Sequence, residues 1–445
     1  MNKELYIFSF IKFVDKLKVT EQIEKGIDEI PKLKGSLGNL PVDDWSDKLI
    51  ETSPIISKSL MKDLQDNKIE VLINNKWYGF KQNSDYIDYY KLINEFLEQK
   101  SYKDIISFEY LREKVLLWII EIYQNNKVTI DLFQYLDELT SIDVIDTIYY
   151  FPLLNIEIEK EILINDSSVM YFSQDYFDTL WKNKNSTDKK TFDDIYRKHQ
   201  GRVFVKVVVK AERSMGERIA FEKAGLITDI IKLISPTVGF AKDICGIDLS
   251  ARIPFWSEYL TDNHNNKLGF SITKSVNRNT VFFSQEIITS FKPIIELFSE
   301  VIERNSNSEL NRLTINSIKL FSKSISENDL NVRISQLITI IESIFLQDNE
   351  VHKMEKKCKR RMSYFLYSDN GKEKEKFSKI ISLMYNIRHK IIHKSIRLYV
   401  EIDKLSRFQM GVMDTILKLI HNGEKLVSKN ELIRIIDIKS TPNKM

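Results

Sequence analysis

The chain has 445 residues, of which 43% are hydrophobic and 11% aromatic, and this is enough apolar surface for two or three packed domains. Its 66 Lys and Arg against 63 Asp and Glu give a net charge of +3, which excludes a uniformly basic or acidic protein. No apolar run approaches the roughly 18 residues of a membrane span and no signal-peptide pattern is found, so we expect a cytoplasmic protein with no membrane partner.

The N-terminal part predicts mixed secondary structure. Helical periodicity covers residues 4–18 and 86–123. Between them, residues 69–80 alternate around an Asn-Asn pair, as in a β-hairpin. A second pair of strands is predicted over residues 156–172, with its turn at Asn165.

The polar stretch at residues 182–190 is the clearest boundary signal, and it ends a mixed α/β region over residues 1–190. A small α+β unit over residues 191–285 follows it. That unit begins with a strand at 202–210 and a helix at 214–234. Shorter apolar segments at 237–240, 268–272 and 280–283 continue its β character.

Residues 286–445 predict long amphipathic helices joined by short polar turns, which together form an antiparallel bundle. Pro293 lies inside the first helix and is expected to kink or restart it. The predicted fold class is α+β, mainly α, with a mixed N-terminal region and a small α+β middle unit before the bundle. The helices cover 286–303, 309–325, 329–346, 350–367, 373–397 and 404–421.

The charge is distributed unevenly. Residues 1–200 carry 26 basic and 35 acidic side chains, a net charge of −9. Residues 351–400 carry 14 basic and 4 acidic side chains, a net charge of +10. Such a local positive field would attract a phosphate-rich partner. A basic run such as the one at 356–361 is equally compatible with a solvated helix face.

Two classes of site are disfavoured. Cys245 and Cys358 lie far apart with no C-x-x-C, so neither a disulfide framework nor a cysteine zinc site is indicated, and we expect buried thiols. There is no G-x-x-x-x-G-K pattern and the chain has only 13 glycines, which argues against a nucleoside-triphosphatase. We expect no cofactor.

The most informative stretch is Tyr-Asn-Ile-Arg-His-Lys-Ile-Ile-His at residues 385–393. Arg388 and His393 form an R-x4-H pattern among apolar residues at helical spacing. A guanidinium suits a phosphate, and an imidazole can move protons near neutral pH. In principle these two groups suffice for RNA cleavage without a metal.

Helical geometry sets a condition on this pattern. Positions five apart diverge by about 140° on a regular helix, so Arg388 and His393 do not share a face, whereas His389 and His393 nearly do. Three arrangements would bring the arginine and the histidine together. The arginine side chain can curl, the helix can bend, or two copies of the motif can face each other across a subunit interface.

The C-terminal part, about residues 286–440, resembles a HEPN domain of the ApeA-like branch found in bacterial antiphage defence. The likeness is carried by Ile-Glu-Ser-Ile-Phe-Leu at 341–346, by the basic helix through 359–362 and by the motif at 385–393. The chain departs from the family pattern just after the motif, where Lys394 replaces a small residue.

This resemblance implies a metal-independent endoribonuclease in which the RNA 2′-hydroxyl attacks the adjacent phosphorus. His393 would be the acid or base and Arg388 the phosphate clamp, with His389 orienting the substrate or sharing proton transfer. Glu342 would hold Arg388 or a histidine in place, or act only as a capping or surface residue; Tyr385 is a second supporting residue. The expected RNA-binding residues are Lys356, Lys357, Lys359, Arg360, Arg361, Lys390, Lys394 and Arg397.

Other interpretations remain open. A noncatalytic HEPN bundle used for RNA binding or dimerisation would keep the same helix. His389 and His393 at i, i+4 could bind a metal, although no carboxylate lies between them or nearby downstream before Glu401, and we expect no metal site. In the simplest alternative, the arginine and histidine merely end a helix in solvent.

The resemblance also implies partners. We expect RNA as substrate and a homodimer or larger homo-oligomer formed through the bundle. A role in antiphage defence, by abortive infection or as a toxin, implies control of the activity. By analogy, we expect residues 1–285 to exert that control and a phage-derived trigger to release it.

Overall fold

The computed structural model describes most of the chain. The described residues are 3–21, 60–64, 68–74, 76–98, 102–171, 173–176, 178, 197, 201–250, 257–263, 267–273, 280–303, 308–394, 398–422, 426 and 428–440. They show a mixed α+β protein that is mainly helical, as predicted. None of the described helices combines the length and the apolar character needed to cross a membrane.

The chain divides into two compact units. One consists of Met1–Thr147 with Lys210–Glu217, and the other of Ile148–Val209 with Arg218–Met445. The three-part organisation at residues 1–190, 191–285 and 286–445 stays a prediction.

The first unit contains a four-stranded antiparallel sheet together with helices around an aromatic-rich core. The elements are α1 (Lys3–Ile11), β1 (Leu17–Glu21), β2 (Leu60–Leu64), β3 (Lys68–Ile73), β4 (Lys76–Phe80), α2 (Asn83–Leu97), α3 (Phe108–Asn125) and α4 (Leu132–Asp143). The sheet has the strand order β1-β4-β3-β2. The predicted hairpin is confirmed, because β3 and β4 pair antiparallel and Asn74 takes the left-handed conformation (φ 47°) in their turn.

The helical periodicity of residues 4–18 extends further than the helix itself. Helix α1 stops at Ile11, and Leu17 begins a strand because it pairs with Phe80 of β4. The helical periodicity over residues 86–123 corresponds to two helices, α2 and α3. The Ser107 side chain accepts a hydrogen bond from the Tyr110 backbone N–H and so caps the start of α3.

Most residues of a five-stranded sheet belong to the second unit. The elements of this unit, of which β5, β9 and α5 also include residues of the first, are β5 (Ile145–Leu154), β6 (Ile156–Ile158), β7 (Ile162–Ile164), β8 (Ser167–Tyr171), β9 (Val203–Ala211), α5 (Arg213–Leu233), β10 (Asp248–Leu249), β11 (Ser257–Asn263), β12 (Lys267–Thr273) and β13 (Val281–Phe283). The sheet has the strand order β10-β5-β9-β8-β7.

The predicted turn at Asn165 is confirmed, with φ 55°, between the antiparallel strands β7 and β8. The predicted strand β9 and the helix after it, α5, are also confirmed. Residues 237–240 lie in or beside a short 3-10 helix, Pro236–Gly239, and not in a strand.

Seven further helices follow in the described part of this unit. Ser308 and Asp329 accept hydrogen bonds from backbone N–H groups at the starts of the second and third, as expected of N-caps. Pro293 lies within the first helix without restarting it. They are α6 (Gln285–Glu303), α7 (Glu309–Ile325), α8 (Leu330–Phe345), α9 (Met354–Tyr367), α10 (Gly371–Lys394), α11 (Ile402–Asn422) and α12 (Lys429–Ser440), the last of which the sequence analysis missed.

Close packing between α10 and α11 requires a glycine at position 411. A Cβ atom there would overlap the ring of the fully buried Phe377. We therefore expect Gly411→Ala to lower stability by about 1–3 kcal/mol, the usual range for overpacking a core. Urea denaturation followed by circular dichroism should show a lower unfolding midpoint. Gly371→Ala, at an open position at the start of α10, is the matched control, and equal midpoints for the two variants would contradict this packing.

Candidate functional site

Helix α10 carries the R-x4-H motif. Its buried residues include Ile380, Ile381, Met384 and Ile387, whose spacing places them on the side facing the bundle core. The helix continues through the motif as far as Lys394. The motif therefore lies in the last turns of a helix whose position is set by its apolar face.

The two histidines lie next to each other on the exposed side of α10. His389 and His393 are both exposed, and their ring centroids are 4.7 Å apart. This proximity follows from the i, i+4 spacing, which stacks side chains one turn apart. Within the described residues there is no group of three or more His, Cys, Asp or Glu side chains arranged to hold a metal ion.

Arg388 points to a different neighbour. Its Nη1 atom donates a hydrogen bond of 2.6 Å to Oε1 of Glu342 on α8. Both side chains are largely buried, with exposed fractions of 24% and 12%. No hydrogen bond joins Arg388 to either histidine in the part of the chain that is described. A charge-assisted bond of this kind fixes the guanidinium against α8.

Tyr385 belongs to the packing behind this ion pair. Its hydroxyl is buried near the Cys358 thiol and the Glu342 carboxylate but makes no regular hydrogen bond with any described group. Burial raises the pKa of Tyr385 and raises that of the Cys358 thiol to about 12, so both groups stay protonated at neutral pH. Cys245 is buried as well, and the prediction of two buried thiols is confirmed.

Arg361 lies inside the bundle and not on the basic surface. Only 3% of its surface is exposed. It donates to the Phe345 carbonyl oxygen at 2.7 Å, to both carboxylate oxygens of Glu350 and to both of Asp437. These contacts use all five guanidinium N–H groups. No donor is left for a phosphate, which corrects the expectation that Arg361 contacts RNA.

The other cations of α9 differ in how strongly they are held. Lys357 pairs with Glu350 at 2.9 Å and Arg360 with Asp437 at 2.6 Å. Lys359 donates to the Ser382 hydroxyl of α10 at 2.9 Å. The fourth, Lys356, is exposed, and among the described residues it has no ion-pair partner.

These side chains line a groove between α9 and α10 with a volume of about 610 Å³. We call it the basic groove and define it by Lys353, Lys356, Lys357, Lys359, Arg360, Ser363, Tyr364, Lys374, Glu375, Ser378 and Ser440. The structure thus brings together four of the expected RNA-binding residues. Lys390 and Lys394 lie further along α10, half-buried and exposed respectively, and Arg397 falls outside the described residues.

Sequence reasoning missed the other seven groove residues, among them Lys353, Tyr364 and Lys374. For the first two, a signal was present, because Lys353, Lys357, Arg360 and Tyr364 follow a spacing of four, three and four residues and so share one helix face. Lys374 is on α10, and only the packing of that helix against α9 brings it to the groove.

The groove and the histidine pair both lie on α10. Ser378 and Ser382 define the side of this helix that meets α9, through hydrogen bonds of 3.1 Å to the Ser363 hydroxyl and 2.9 Å from Lys359. Around the helix axis, at 100° per residue, the angle from Ser378 is about 40° for Ser382, 20° for His389 and 60° for His393. Arg388 lies about 80° from Ser378 in the opposite direction around the helix. The exposed histidines therefore continue the face that borders the basic groove.

Such an arrangement can bind a polyanion and place it beside two imidazoles. No protein-family model, curated protein or solved structure matches this chain.

The ion pairs around Arg361 predict an acid-sensitive bundle. The guanidinium of Arg361 donates to Glu350 and lowers the pKa of that carboxyl from 4.5 to about 2. Because the pKa is lower in the folded state, the ion pair stabilises the fold above about pH 4.5 and this contribution is lost as the pH falls towards 2. Unfolding midpoints should therefore fall between pH 6 and pH 3 more steeply for the wild type than for Glu350→Gln.

Glu375→Gln is the matched control for this measurement. Glu375 pairs with Lys379 at 2.8 Å, but both side chains are more than 70% exposed, so its ion pair should contribute little. The control should follow the wild-type pH profile. If Glu350→Gln also followed it, the ion pairs of Arg361 would not stabilise the bundle.

Proposed function

We propose that this protein is a metal-independent endoribonuclease of the HEPN type. The observation that carries the proposal is the exposed pair His389 and His393, which continues the face of α10 that borders the basic groove. An imidazole in reach of bound RNA is a general acid or base near neutral pH. A groove lined by cations supplies the attraction for the phosphate backbone.

The proposed reaction starts with attack of a ribose 2′-hydroxyl on the adjacent phosphorus. His393 removes the proton of that hydroxyl or protonates the leaving 5′-oxygen, and His389 orients the substrate or shares the proton transfer. The products are a 2′,3′-cyclic phosphate and a free 5′-hydroxyl. DNA lacks the nucleophile and is not cleaved.

Arg388 supplies the cation that stabilises the charge developing on the phosphoryl oxygens. Within one protomer it points to Glu342, and the helix turns by about 140° between it and His393. In a symmetric dimer each motif faces its own copy, so one protomer's Arg388 can reach the phosphate held by the other's His393. The proposed active unit is therefore a homodimer or a larger assembly formed through the bundle.

A ribonuclease of this kind would damage the cell that makes it, so its activity needs control. We propose a role in bacterial antiphage defence, by abortive infection or as a toxin, on the basis of the resemblance seen in the sequence. Residues 1–285 would restrain the activity and a phage-derived component would release it.

A second candidate function is a noncatalytic RNA-binding or dimerisation module. The observation that favours it is the ion pair of Arg388 with Glu342, because a half-buried arginine with a carboxylate partner already has a structural role. This alternative predicts RNA binding without cleavage.

Cleavage should persist in excess EDTA and leave 2′,3′-cyclic phosphate ends. The purified protein, incubated with 5′-labelled RNA and with DNA of the same sequence, should cut only the RNA. His393→Ala should lower the rate at least about 100-fold, the lower end of the usual contribution of a general acid or base. His421→Ala replaces another exposed histidine, at the end of α11, and should leave the rate unchanged. Loss of activity on chelation would contradict a metal-independent mechanism.

The shared site can be tested by mixing two inactive variants. Arg388→Ala and His393→Ala should each be inactive, but a heterodimer contains one site with both intact side chains. Subunit exchange should therefore restore about a quarter to a half of wild-type activity, whereas mixing two samples of the same variant should restore none. Full activity of a protein that sediments as a monomer would rule out the shared site.

A further inference from the structure

The basic groove has the composition of a nucleotide site. Six of its side chains are cationic and one, Glu375, is acidic. Glu375 is already paired with Lys379 at 2.8 Å, so it opposes an anionic ligand only weakly. A volume of about 610 Å³ falls in the range of sites for small organic ligands and is far too small for a folded partner.

The cations that remain available lie at two ends of the groove. Lys353 and Lys356 are exposed at the start of α9 and, in the part of the chain that is described, pair with no carboxylate. Lys374 lies on α10 and its ammonium is 5.9 Å from the ring centroid of Tyr364. Lysines bind phosphates as point charges without a fixed geometry. These residues suit the backbone of a nucleic acid more than one rigid anion.

Tyr364 distinguishes this groove from a basic surface that would bind any polyanion. It is the one aromatic side chain among the described residues that line the groove, and it is partly exposed. Its contact with Lys374 is near the 6 Å limit of a cation–π interaction, so a base can replace it at little cost. Bases of single-stranded RNA stack on aromatic rings in this way, whereas bases within a duplex are not accessible.

The position of Tyr364 relative to the histidines follows from the antiparallel packing of α9 and α10. Ser363 pairs with Ser378, so the adjacent Tyr364 lies near the level of Ser378 on α10. His389 and His393 are 11 and 15 residues further along, which corresponds to about 16 and 23 Å of helix. At the 3.4 Å rise of a stacked strand, this distance is roughly five to seven nucleotides, and an unstacked strand covers it with fewer.

We propose that the basic groove holds one unpaired nucleotide of the RNA substrate with its base on Tyr364, and that Lys353 and Lys356 contact phosphates of the strand between that nucleotide and the histidines. The proposal rests on the ribonuclease function and adds its substrate class. The substrate is single-stranded at the groove, and the bound nucleotide sets the cut at a fixed offset of at most about seven nucleotides. Tyr364 is thus a positioning residue for a reaction that takes place at the histidines.

The first test measures binding of a fluorescent 16-nucleotide RNA to the full-length His393→Ala protein, which keeps the RNA intact. Adding Tyr364→Ala should raise the Kd about 5- to 150-fold, the range seen when one stacked base loses its aromatic partner. Tyr364→Phe keeps the ring and should stay within about twofold of its parent. The same RNA in a duplex should bind with no dependence on Tyr364. Equal Kd values for Tyr364→Ala and its parent, with both folded by circular dichroism, would overturn the proposal.

The second test locates the bound nucleotide. An abasic residue is introduced at successive positions of the RNA, and the Kd is measured for each. One position should lose affinity in the parent and not in Tyr364→Ala, and in wild-type protein the cut should lie at a constant offset from it. A uniform profile would overturn the positioning role.

A competition experiment tests whether the ligand is a strand or a free nucleotide. Adenosine or uridine monophosphate should compete with the RNA only weakly. Competition as strong as that of unlabelled RNA would also overturn the proposal, because the ligand would then be a free nucleotide.

These experiments separate the two proposals. Tyr364-dependent binding of single-stranded RNA without cleavage by wild-type protein would remove the ribonuclease function and leave the nucleotide site in place. Cleavage that depends on His393 but not on Tyr364 would leave the ribonuclease function and remove this site.

Discussion

The arrangement of α9 and α10 depends on the pairing of two buried guanidinium groups, those of Arg361 and Arg388, with carboxylates. Removing an arginine from water is costly unless its N–H groups are bonded and its charge is compensated. Arg361 meets this condition through Glu350 and Asp437. The charge of Arg388 is compensated by Glu342, although its buried Nε–H has no partner among the described residues. These pairs join α12 to α9 through Asp437 and α8 to α10 through Glu342. They also decide which charges remain for a ligand, because the two arginines point inward and the lysines of α9 are left at the surface.

Local patterns were enough to predict the elements whose signals are local. Asn74 and Asn165 turn their strands because asparagine tolerates a left-handed backbone, and both turns lie where the alternating residues placed them. Helices α6 to α11 were predictable from their 3.6-residue period and their polar turns, whereas α12 was missed. Elements that depend on distant partners were not. Leu17 follows a helical pattern in the sequence but pairs with Phe80 in a sheet, and this pairing determines its conformation.

The same distinction between local patterns and distant partners explains which parts of the candidate site could be predicted from the sequence. The motif on α10 could be found from spacing alone, and so could the two imidazoles on one face. The burial of Arg361 could not be predicted, because a run of five cations within six residues looks like one charged surface. Only the packing of α12, which supplies Asp437 from 76 positions away, shows that Arg361 is paired inside the bundle. Lys374 is similar, since it reaches the groove only through the packing of α10 on α9. Sequence spacing identifies which charges share a helix face, and tertiary packing decides which of them face solvent.

The helix face of the histidines bears on whether one protomer can supply a complete site. Lys390 precedes His393 by three residues and is therefore its neighbour on the helix surface, whereas Arg388 lies about 140° away and is held by Glu342. A site within one protomer would use Lys390, a half-buried ammonium that binds phosphate as a point charge. A site across two protomers would use Arg388, whose planar guanidinium offers paired donors to phosphate oxygens. Because Arg388 is held by Glu342, the second arrangement requires the guanidinium to share its donors between that carboxylate and a phosphate, or to exchange one for the other.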